Sequence, residues 1–494
     1  MSVAAEKLSM MTLAELLGRS DVVSMPVPGL SMNSRTLARG DVFLAVAGKS
    51  SHGLAFARDA LSAGCSAIVF DPEGAPSPLP NLPVPLVAEK GLSSRLGELA
   101  NRFHGLPSSR LRVIGVTGTN GKTTVAWLLG ECLQLLGRKA AYSGTLGYGI
   151  TEIDDADGMT TPDVVEMHRR IGALVDAGAS DLAMEVSSHA LDQHRVDGVR
   201  FELAVFTNLS RDHLDYHKDM ADYESAKQRL FTEHAPQHRV INVDSDAGRR
   251  IAAACEGPVV TVSMVPDADA SLVIRSAEPR SDGFRLAFDS EWGNGAVKLP
   301  LYGSFNVENA AVVLASLLVL GIEAADASAV LEQIQAPPGR LQAVGSGSPA
   351  VVVDYAHTPD ALEAALAALR PNCNGELWCV FGCGGDRDRG KRGLMASAAE
   401  RLADRVVVTS DNPRSESPSA IIADVAAGLE RADDAVLIED RATAISWAIT
   451  HAGPNDLVLI AGKGHERVQL VGDERLTFSD VEVAQAIFDR RAGA

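Results

Sequence analysis

Short apolar runs that alternate with amphipathic segments dominate the chain. The run Leu111–Val116 predicts a buried strand, and Lys122–Leu136 repeats apolar residues at helical spacing until Gly137. Similar pairs of a short apolar run and a helical segment recur to the C-terminus. This alternation predicts an α/β fold with mostly parallel, doubly wound sheets.

The pattern changes at points that suggest three domains, as the length of 494 residues also does. Short alternating stretches in 257–305 predict a small antiparallel addition, and Pro337-Pro338-Gly339 marks a boundary. We predict a smaller N-terminal α/β domain, a central domain with the doubly wound sheet, and a C-terminal Rossmann-like α/β domain. Their predicted ranges are 1–109, 110–338 and 339–494.

The predicted elements are short, and their bounds can be compared with a structure. Helices are expected near Thr12–Leu17 and Leu54–Ala63. Strands are expected at Asp41–Val46, Ser66–Phe70, Leu111–Val116, Leu182–Val186, Leu203–Thr207, Val240–Val243, Ala350–Tyr355, Leu377–Phe381, Arg405–Thr409, Ala435–Ile438 and Asp456–Ala461.

Composition excludes some classes of protein. The formal charge of −19 argues against a nucleic-acid-binding surface. We find neither a signal peptide nor an apolar run long enough for a membrane span, so no membrane insertion is expected. The six scattered cysteines contain no CxxC pair, which favours a reducing, cytoplasmic location.

The turn after Leu111–Val116 has the features of a phosphate-binding loop. Gly118 and Gly121 allow a sharp turn that points backbone amides at an anion, next to a helix N-terminus. Lys122 is placed to neutralise phosphates, and Thr123 to offer a hydroxyl to magnesium. Val116 stands where the general P-loop pattern has its first glycine, so only the shorter form Gly118–Thr123 remains.

Polar clusters follow several predicted strands, where open α/β sheets bind ligands. They lie at Met184–His189, Thr207–His217, Asp354–Asp360, Phe381–Arg392, Ser410–Arg414 and Ala461–Glu466. Taken singly, the cluster Met184–His189 suits either a helix cap or a magnesium ligand. The cluster Thr207–His217 suits either a solvated loop or a metal site. The fourth combines four cationic side chains with a glycine turn, which indicates an anionic ligand or a solvated turn. Arg414 can form two parallel hydrogen bonds to a carboxylate.

Together, these motifs resemble the Mur ligases, a family that extends the peptide of the cell-wall precursor. Thr117–Thr124 resembles the family's own phosphate loop, which accounts for Val116, and Asp411–Arg414 resembles the signature of the members that add meso-diaminopimelate. The resemblance implies a peptide ligase that consumes ATP with Mg²⁺ and joins meso-diaminopimelate to a UDP-MurNAc-dipeptide. It also implies that the three domains bind the UDP group, ATP and the amino acid, in that order.

The resemblance assigns roles to individual residues. ATP contacts fall to Gly118, Thr119, Asn120, Gly121, Lys122, Thr123, Thr124, Asn306, Asn309, Arg340 and Asp354. The uridine site matches Met32, Ser34 and the loop 48–52. The muramoyl-dipeptide positions are Thr160, Thr161, Ser187, Gln193 and Arg195. The diaminopimelate positions are Arg387, Asp411, Asn412, Pro413, Arg414, Gly462 and Glu466.

Lys227 receives two opposite predictions. By itself, a lysine on a predicted helix is expected to be a solvated surface residue. The family resemblance implies instead that Lys227 is carbamylated, which turns a cation into an anionic oxygen ligand for magnesium. With Lys122 as the phosphate-binding cation, the implied catalytic set is Lys122, Glu185, His213 and Lys227, and the implied metal set is Thr123, Glu185, His213 and carbamylated Lys227.

The implied reaction runs through an acyl phosphate, and we expect the enzyme to be a monomer. Two alternatives stay open. One is a sister ligase, either the lysine-adding Mur enzyme or folylpolyglutamate synthetase, against which Asp411–Arg414 argues. The other is a nucleotide-operated P-loop switch, which would leave the arginine-rich motifs of the third domain without a purpose.

Overall fold

The chain folds into two compact units. The computed structural model describes residues 11–48, 51–153 and 159–492. The first unit extends to Val259, except for two short segments, 127–132 and 242–244, which belong with residues 260–494 in the second. The finer three-domain division at 109/110 and 338/339 remains a prediction.

The first part of unit one is a small parallel sheet with helices on both faces. Thr12 caps the first helix through a reciprocal pair of bonds with Glu15, and the predicted helix Leu54–Ala63 begins as a 3₁₀ turn over Gly53–Phe56. Apolar side chains cover both faces of the sheet, in the order β1-β2-β3-β4. The elements are α1 (Leu13–Leu17), β1 (Leu30–Ser31), β2 (Val42–Ala45), α2 (Ala57–Ala63), β3 (Ala67–Phe70), β4 (Leu86–Ala88) and α3 (Leu92–Phe103).

The described residues in the rest of unit one form six strands in the order β10-β9-β5-β8-β6-β7. Among the pairs of these strands, only β6–β7 is antiparallel, which confirms the predicted doubly wound sheet. The elements are β5 (Arg112–Thr117), α4 (Lys122–Leu135), β6 (Ala140–Gly144), β7 (Gly147–Gly149), α5 (Val164–Asp176), β8 (Asp181–Glu185), α6 (Ser188–Asp192), β9 (Leu203–Phe206), α7 (Met220–Thr232), β10 (His238–Asn242) and α8 (Asp246–Ala254). Register pairs Val116 with Glu185 and Thr117 with Phe206, so three strands end together at the phosphate loop.

Unit two opens with the predicted antiparallel addition. Strands β12, β13 and β14 form a meander, and β11 pairs with β12 in parallel. The elements are β11 (Val260–Ser263), β12 (Leu272–Arg280), β13 (Gly283–Ser290), β14 (Gly293–Leu299), α9 (Phe305–Val319) and α10 (Ala324–Leu331). Helix α9 is apolar around most of its surface and correspondingly buried, so its two asparagines stand out.

A second doubly wound sheet completes unit two, in the order β15-β16-β20-β17-β18-β19. All its pairs are parallel except β15–β16, and apolar clusters cover both faces. The elements are β15 (Gln342–Ala343), β16 (Ala350–Asp354), α11 (Pro359–Leu369), β17 (Leu377–Phe381), α12 (Gly390–Leu402), β18 (Arg405–Val408), α13 (Pro418–Ala426), β19 (Val436–Leu437), α14 (Arg441–His451), β20 (Leu457–Ala461), β21 (Val468–Val471), β22 (Glu474–Thr477) and α15 (Asp480–Ala492). The sheet confirms the predicted C-terminal α/β fold.

Two expectations from composition can be compared with the fold. Within the described ranges, no helix is both long and apolar enough to cross a membrane. All six cysteines are free thiols.

Candidate active site

The phosphate loop connects β5 to α4 and has the backbone that its glycines predicted. Gly118 and Gly121 have φ angles of +150° and +83°. A Cβ on Gly118 would lie 1.9 Å from Thr207 Oγ1, so this position requires glycine. The loop is anchored by Asn208, whose backbone oxygen accepts from the Thr119 amide at 2.8 Å and whose Oδ1 accepts from the Asn120 amide at 2.9 Å.

Two lysine side chains converge on one carbonyl of this loop. Lys122 Nζ donates to Gly118 O at 3.0 Å and to Thr119 O at 2.8 Å, while Lys227 Nζ donates to Gly118 O at 2.6 Å. Lys227 is only 1% exposed and its Nζ lies 4.5 Å from the centre of the Tyr223 ring. The prediction of a solvated surface lysine is therefore wrong, because α7 packs this residue beneath the loop.

Burial and proximity alter the protonation of both amines. Removal from water lowers the pKa of Lys122, although Glu185 and Asp212 oppose the shift. Removal from water also lowers the pKa of Lys227 well below its usual value, and the positive charge of Lys122 adds to that effect. A larger fraction of Lys227 is therefore uncharged at neutral pH than is the case for a surface lysine. The uncharged amine is the form that reacts with carbon dioxide.

Glu185 ends β8 with a carboxylate that is almost completely buried, at 1% exposure. Its Oε1 accepts from Tyr142 Oη at 2.6 Å and from the Thr145 amide at 2.8 Å. Its Oε2 accepts from Thr123 Oγ1 at 2.9 Å and from Thr145 Oγ1 at 3.3 Å. Sequence reasoning missed Tyr142 and Thr145. Thr145 directly follows β6, where the strand-end rule also applies, whereas Tyr142 lies within the strand.

His213 lies on the loop after β9, in a group of aromatic rings that includes His189 of α6. Its φ is +52°, and its ring centre lies 4.9 Å from that of His189. His189 also lies 4.0 Å from the Tyr216 ring, centre to centre. In the described part of the chain, no three His, Cys, Asp or Glu side chains are grouped closely enough to hold a metal ion. Thr123 and Glu185 are in direct contact, and the larger metal set with His213 and Lys227 remains a prediction.

The five predicted dipeptide-binding residues form a network that adjoins Glu185. Thr161 Oγ1 donates to the Glu185 backbone oxygen at 3.0 Å and accepts from the Ser187 amide at 3.2 Å. Arg195 reaches Thr161 O through Nη1 at 2.8 Å and Gln193 Oε1 through Nη2 at 2.6 Å. Ser187 also caps α6.

Thr160 connects to the same network. Its hydroxyl lies 3.1 Å from Thr145 Oγ1, which in turn binds Glu185. The predicted dipeptide positions therefore lie next to the predicted magnesium ligand.

The predicted uridine contacts lie in the first sheet of unit one. Met32 packs partly buried against its apolar core, and Ser34 lies in a half-buried turn. In the loop 48–52, the Gly48 amide donates to Ser51 O at 2.9 Å, while residues 49 and 50 lie outside the described residues. The uridine assignment remains a prediction.

The predicted adenine contacts lie in unit two and are buried. Asn306 and Asn309 are 2% and 5% exposed, and Asn306 Nδ2 donates to Tyr302 O at 2.7 Å. Asn309 Nδ2 donates to Asn306 Oδ1 at 2.9 Å, so the amides form a chain along α9.

Arg340 and Asp354 also lie in unit two, at the start and end of the β15–β16 region. The Arg340 guanidinium lies 5.6 Å from the centre of the Tyr355 ring. Asp354 accepts from the Leu341 and Ala356 amides, each at 2.8 Å. Burial raises the pKa of Asp354, against these two hydrogen bonds and the nearby positive charge of Arg340. Part of its hydrogen-bonding capacity is therefore committed to the local backbone.

The carboxyl ends of β16, β17, β18 and β20 enclose a cavity of about 440 Å³. Parallel register brings these ends together, as in the pairing of Asp354 with Ala461. The charged lining consists of Arg387, Asp388, Lys391, Asp411, Arg414 and Glu466. Three cations and three carboxylates in one cavity suit a ligand that carries both ammonium and carboxylate groups.

Arg414 is held in an unusual backbone conformation, with φ +51°. Its Nη1 donates to Gly385 O at 2.8 Å, which orients the guanidinium within the cavity wall. Gly462 has φ +119°, and a Cβ there would lie 2.7 Å from Asp411 Oδ2. The predicted diaminopimelate residues Arg387, Asp411, Asn412, Arg414, Gly462 and Glu466 all line this cavity, and Pro413 lies within the same segment.

Two buried cations that sequence reasoning did not single out support the cavity. Lys463 Nζ donates to Asn412 Oδ1 and Glu466 Oε2, each at 3.0 Å. Arg441 binds Asp480 through Nε and Nη2, each at 2.7 Å, and also donates to the carbonyls of Ser410 and Ala461. These carbonyls directly precede Asp411 and Gly462. A lysine between two cavity residues was the available signal for Lys463, whereas Arg441 gave none.

Three domain families match consecutive ranges of the chain. The Mur ligase family catalytic domain matches residues 26–104, the Mur ligase middle domain matches 116–317, and the Mur ligase glutamate ligase domain matches 339–464.

Two relatives and one solved structure, each matched over more than nine-tenths of its length, have the same name. The chain is 48% identical over 469 residues, 94% of each chain, to the UDP-N-acetylmuramoyl-L-alanyl-D-glutamate--2,6-diaminopimelate ligase of Xanthomonas campestris pv. campestris. It is 47% identical to the enzyme of that name from Pseudomonas aeruginosa, over 92% of this chain and 94% of the relative. A solved structure of an enzyme of that name is 33% identical, with a TM-score of 0.76, and the match covers 98% of this chain and 99% of that one. With its phosphate loop, charged cavity and three consecutive family domains, this chain belongs to the Mur ligase family.

Proposed function

We propose that the chain is an ATP-dependent ligase that joins meso-2,6-diaminopimelate to the D-glutamate of UDP-N-acetylmuramoyl-L-alanyl-D-glutamate. The observation that carries the proposal is the cavity around Arg414. Diaminopimelate has two amino-acid ends, and the cavity offers cations and carboxylates for the groups of one end. The 48% identity to a relative named for this reaction supports the same substrates. The cytoplasmic location and the monomeric state remain predictions.

The first chemical step would activate the γ-carboxylate of the D-glutamyl residue. A carboxylate oxygen attacks the γ-phosphorus of ATP, the bond to the ADP oxygen breaks, and an acyl phosphate forms. Lys122 lies on the phosphate loop, where its positive charge offsets the negative charge that the two substrates bring together. Thr161 and Arg195 belong to a fixed network beside Glu185 that suits a positioning role for the dipeptide.

The second step would form the amide. The uncharged amine of diaminopimelate attacks the activated carbonyl, and inorganic phosphate leaves from the tetrahedral intermediate. The ammonium group must lose one proton before it can attack, and the same nitrogen loses a second proton after the C–N bond has formed. Asp411 and Glu466 face the cavity and suit the orientation of the ammonium group at the non-reacting end.

The donor set near the phosphate loop fits magnesium. The Thr123 hydroxyl and the Glu185 carboxylate are hard oxygen donors in direct contact at 2.9 Å. Bound Mg²⁺ neutralises phosphate charge. An amine is a poor ligand for this ion, but a carbamate on Lys227 would supply anionic oxygen. The lowered pKa of Lys227, which comes from its burial, supports this modification.

An amino-acid panel tests the proposed substrate. Phosphate release would be measured with ATP, the UDP-linked dipeptide, and meso-diaminopimelate, L-lysine, L-glutamate or D-alanyl-D-alanine. Of these four acceptors, we expect only meso-diaminopimelate to support turnover. Comparable turnover with L-lysine would contradict the role of Arg414, and nucleotide turnover without either small substrate would favour a P-loop switch.

A matched pair of variants assigns the discrimination to Arg414. Arg414→Lys keeps the charge but loses the forked geometry, so we expect KM for meso-diaminopimelate to rise by roughly 10- to 100-fold. Arg431→Lys changes an arginine that is 66% exposed and lies outside the cavity, and its KM should match the parent protein. Equal KM values for the two variants would remove Arg414 from the specificity site.

Chemical rescue tests the carbamate. Lys227→Ala should lose most activity and regain part of it with short-chain carboxylic acids, which can replace the missing anionic oxygens. Lys122→Ala provides the control, because a carboxylic acid cannot replace a phosphate-binding cation. Full activity of Lys227→Ala without any addition would exclude the modification as a functional group.

A further inference from the structure

An arginine-rich cavity of about 260 Å³ lies at the edge of the unit-one sheet opposite the phosphate loop. Its polar lining comprises Ser108, Arg110, Arg112, Ser180, Arg200 and Glu202, among other residues. These residues lie just before or at the start of β5, β8 and β9, whereas the phosphate loop follows the end of β5. The length of β5 separates the two places by roughly 16 Å. The cavity is therefore distinct from the proposed active site.

Positive charge in this cavity exceeds what the adjacent carboxylate can neutralise. Arg112 Nε binds Asp181 Oδ1 at 2.6 Å, and Arg138 Nε binds Asp181 Oδ2 at 2.7 Å. Two guanidinium groups therefore share one carboxylate, that of Asp181, which is completely buried. Arg112 Nη2 is itself buried and has no hydrogen-bond partner among the described residues. This unpaired N–H group is costly, and it has almost no surface that a ligand in the cavity could reach. The Arg112 side chain as a whole is 27% exposed and belongs to the lining, so it contributes positive charge to the cavity.

Two further arginines of the lining, both exposed to solvent, add charge that is weakly paired. The Arg200 guanidinium has no ion pair or hydrogen bond with the parts of the chain that the structure describes. Arg110 has a carboxylate of Asp176 at 3.9 Å, but that carboxylate is 77% exposed. Glu202 contributes one opposing charge and lies 3.9 Å from His238. Within the lining itself, three arginines, Arg110, Arg112 and Arg200, face one carboxylate, Glu202.

Ser108 supplies a buried neutral donor. It is 4% exposed, and its Oγ accepts from the Arg200 amide at 3.1 Å. Its hydroxyl proton has no acceptor within the described ranges. Guanidinium groups and a hydroxyl that converge on one polar cavity form a recognised arrangement for tetrahedral oxyanions.

We propose that this arginine cavity binds a small phosphate-type oxyanion, either inorganic phosphate or a phosphomonoester. The protein as a whole has a formal charge of −19, which repels anions, so an anion binds favourably only where positive charge is concentrated. Since one water molecule occupies roughly 30 Å³ in the liquid, 260 Å³ leaves room for a phosphate with a small organic group. The proposal is independent of the ligase activity.

Calorimetric titration with inorganic phosphate in chloride buffer tests the proposal. Because the phosphate loop is a competing phosphate site, all titrations use a Lys122→Ala background. We expect this protein to bind phosphate still, and the further change Arg110→Gln/Arg200→Gln to weaken binding by roughly tenfold or more. The control Arg58→Gln/Arg250→Gln removes the same charge from two exposed arginines that lie outside the cavity, and it should leave phosphate binding unchanged.

The results separate the possible outcomes. Absence of phosphate binding in the Lys122→Ala protein, or equal binding in the two double variants, would overturn the proposal. A parallel titration with glycerol phosphate identifies the source: tighter binding than for phosphate supports a phosphomonoester, and equal or weaker binding supports free phosphate. Without the Lys122 change, Arg110→Gln/Arg200→Gln should retain ligase activity, which shows that the variant is folded.

Discussion

The buried ion pair between Arg441 and Asp480 gives a prediction with a defined magnitude. Both side chains are 0% exposed and meet through two 2.7 Å hydrogen bonds. Replacement of Asp480 by Asn keeps the shape but leaves the Arg441 charge buried without its counterion. Breaking such a pair typically costs about 3–5 kcal/mol. Arg441 also holds the carbonyls of Ser410 and Ala461, so the cost should appear in the strands that form the charged cavity.

Hydrogen exchange followed by mass spectrometry measures this cost locally, which suits a large chain whose unfolding is not a two-state process. A loss of about 3–5 kcal/mol corresponds to protection lower by roughly two to four orders of magnitude in peptides from β18 and β20. Asp289→Asn is the control. It disrupts a 2.6 Å pair with Arg275 in which the side chains are 48% and 43% exposed, so about 1 kcal/mol or less is expected.

A further variant separates charge from shape. Arg441→Met/Asp480→Leu removes both charges, and it should recover part of the protection that Asp480→Asn loses, because no unpaired ion remains. The KM for diaminopimelate in this double variant should nevertheless be higher than in the parent protein, since the carbonyls of Ser410 and Ala461 lose their donor. If Asp480→Asn lowered protection no more than Asp289→Asn does, the assignment of a large stabilising role to the buried pair would be refuted.

Three other changes have expected results of their own. Gly462→Ala should raise KM for diaminopimelate several-fold, because φ is +119° and the new Cβ would crowd Asp411 Oδ2. The control Gly293→Ala has a similar φ of +125° but meets nothing within 4 Å, and it should leave KM unchanged; equal effects would refute this. Tyr142→Phe removes a hydrogen-bond donor from the Glu185 carboxylate. The Mg²⁺ concentration that gives half-maximal activity should therefore rise by roughly tenfold, and an unchanged magnesium titration would contradict this. Burial raises the pKa of Glu131 from 4.5 to about 7, so folding favours its protonated form and stability should fall as pH rises from 4.5 through 7. Melting temperatures between pH 5 and 8 should therefore decline less in Glu131→Gln than in the parent protein, and parallel declines would show that Glu131 does not titrate in this range.

Local pattern was sufficient for the strands that were predicted and for the phosphate loop, although it missed short strands such as β1, β4, β6 and β7. The predicted strand Leu377–Phe381 matches β17 residue for residue, and the prediction for Leu111–Val116 differs from β5 by one residue at each end. Such agreement is possible because periodic burial and the positive φ of Gly118 are properties of short segments. The same reasoning placed six polar clusters at strand ends. Parallel register brings four of them, Asp354–Asp360, Phe381–Arg392, Ser410–Arg414 and Ala461–Glu466, into one cavity.

Only the tertiary structure determined the environment of the charged side chains. Lys227 donates to a carbonyl 109 positions away, and no local signal distinguishes it from an exposed lysine on the surface of a helix. Arg441 is likewise buried against Asp480, 39 positions away, and Tyr142 reaches Glu185 across 43. Burial, and with it the pKa and the cost of an unpaired charge, depends on the summed packing of distant segments. The sequence by itself thus determined the strands, the loop and the family, whereas the tertiary structure decided which charges are removed from water and which atoms they bind.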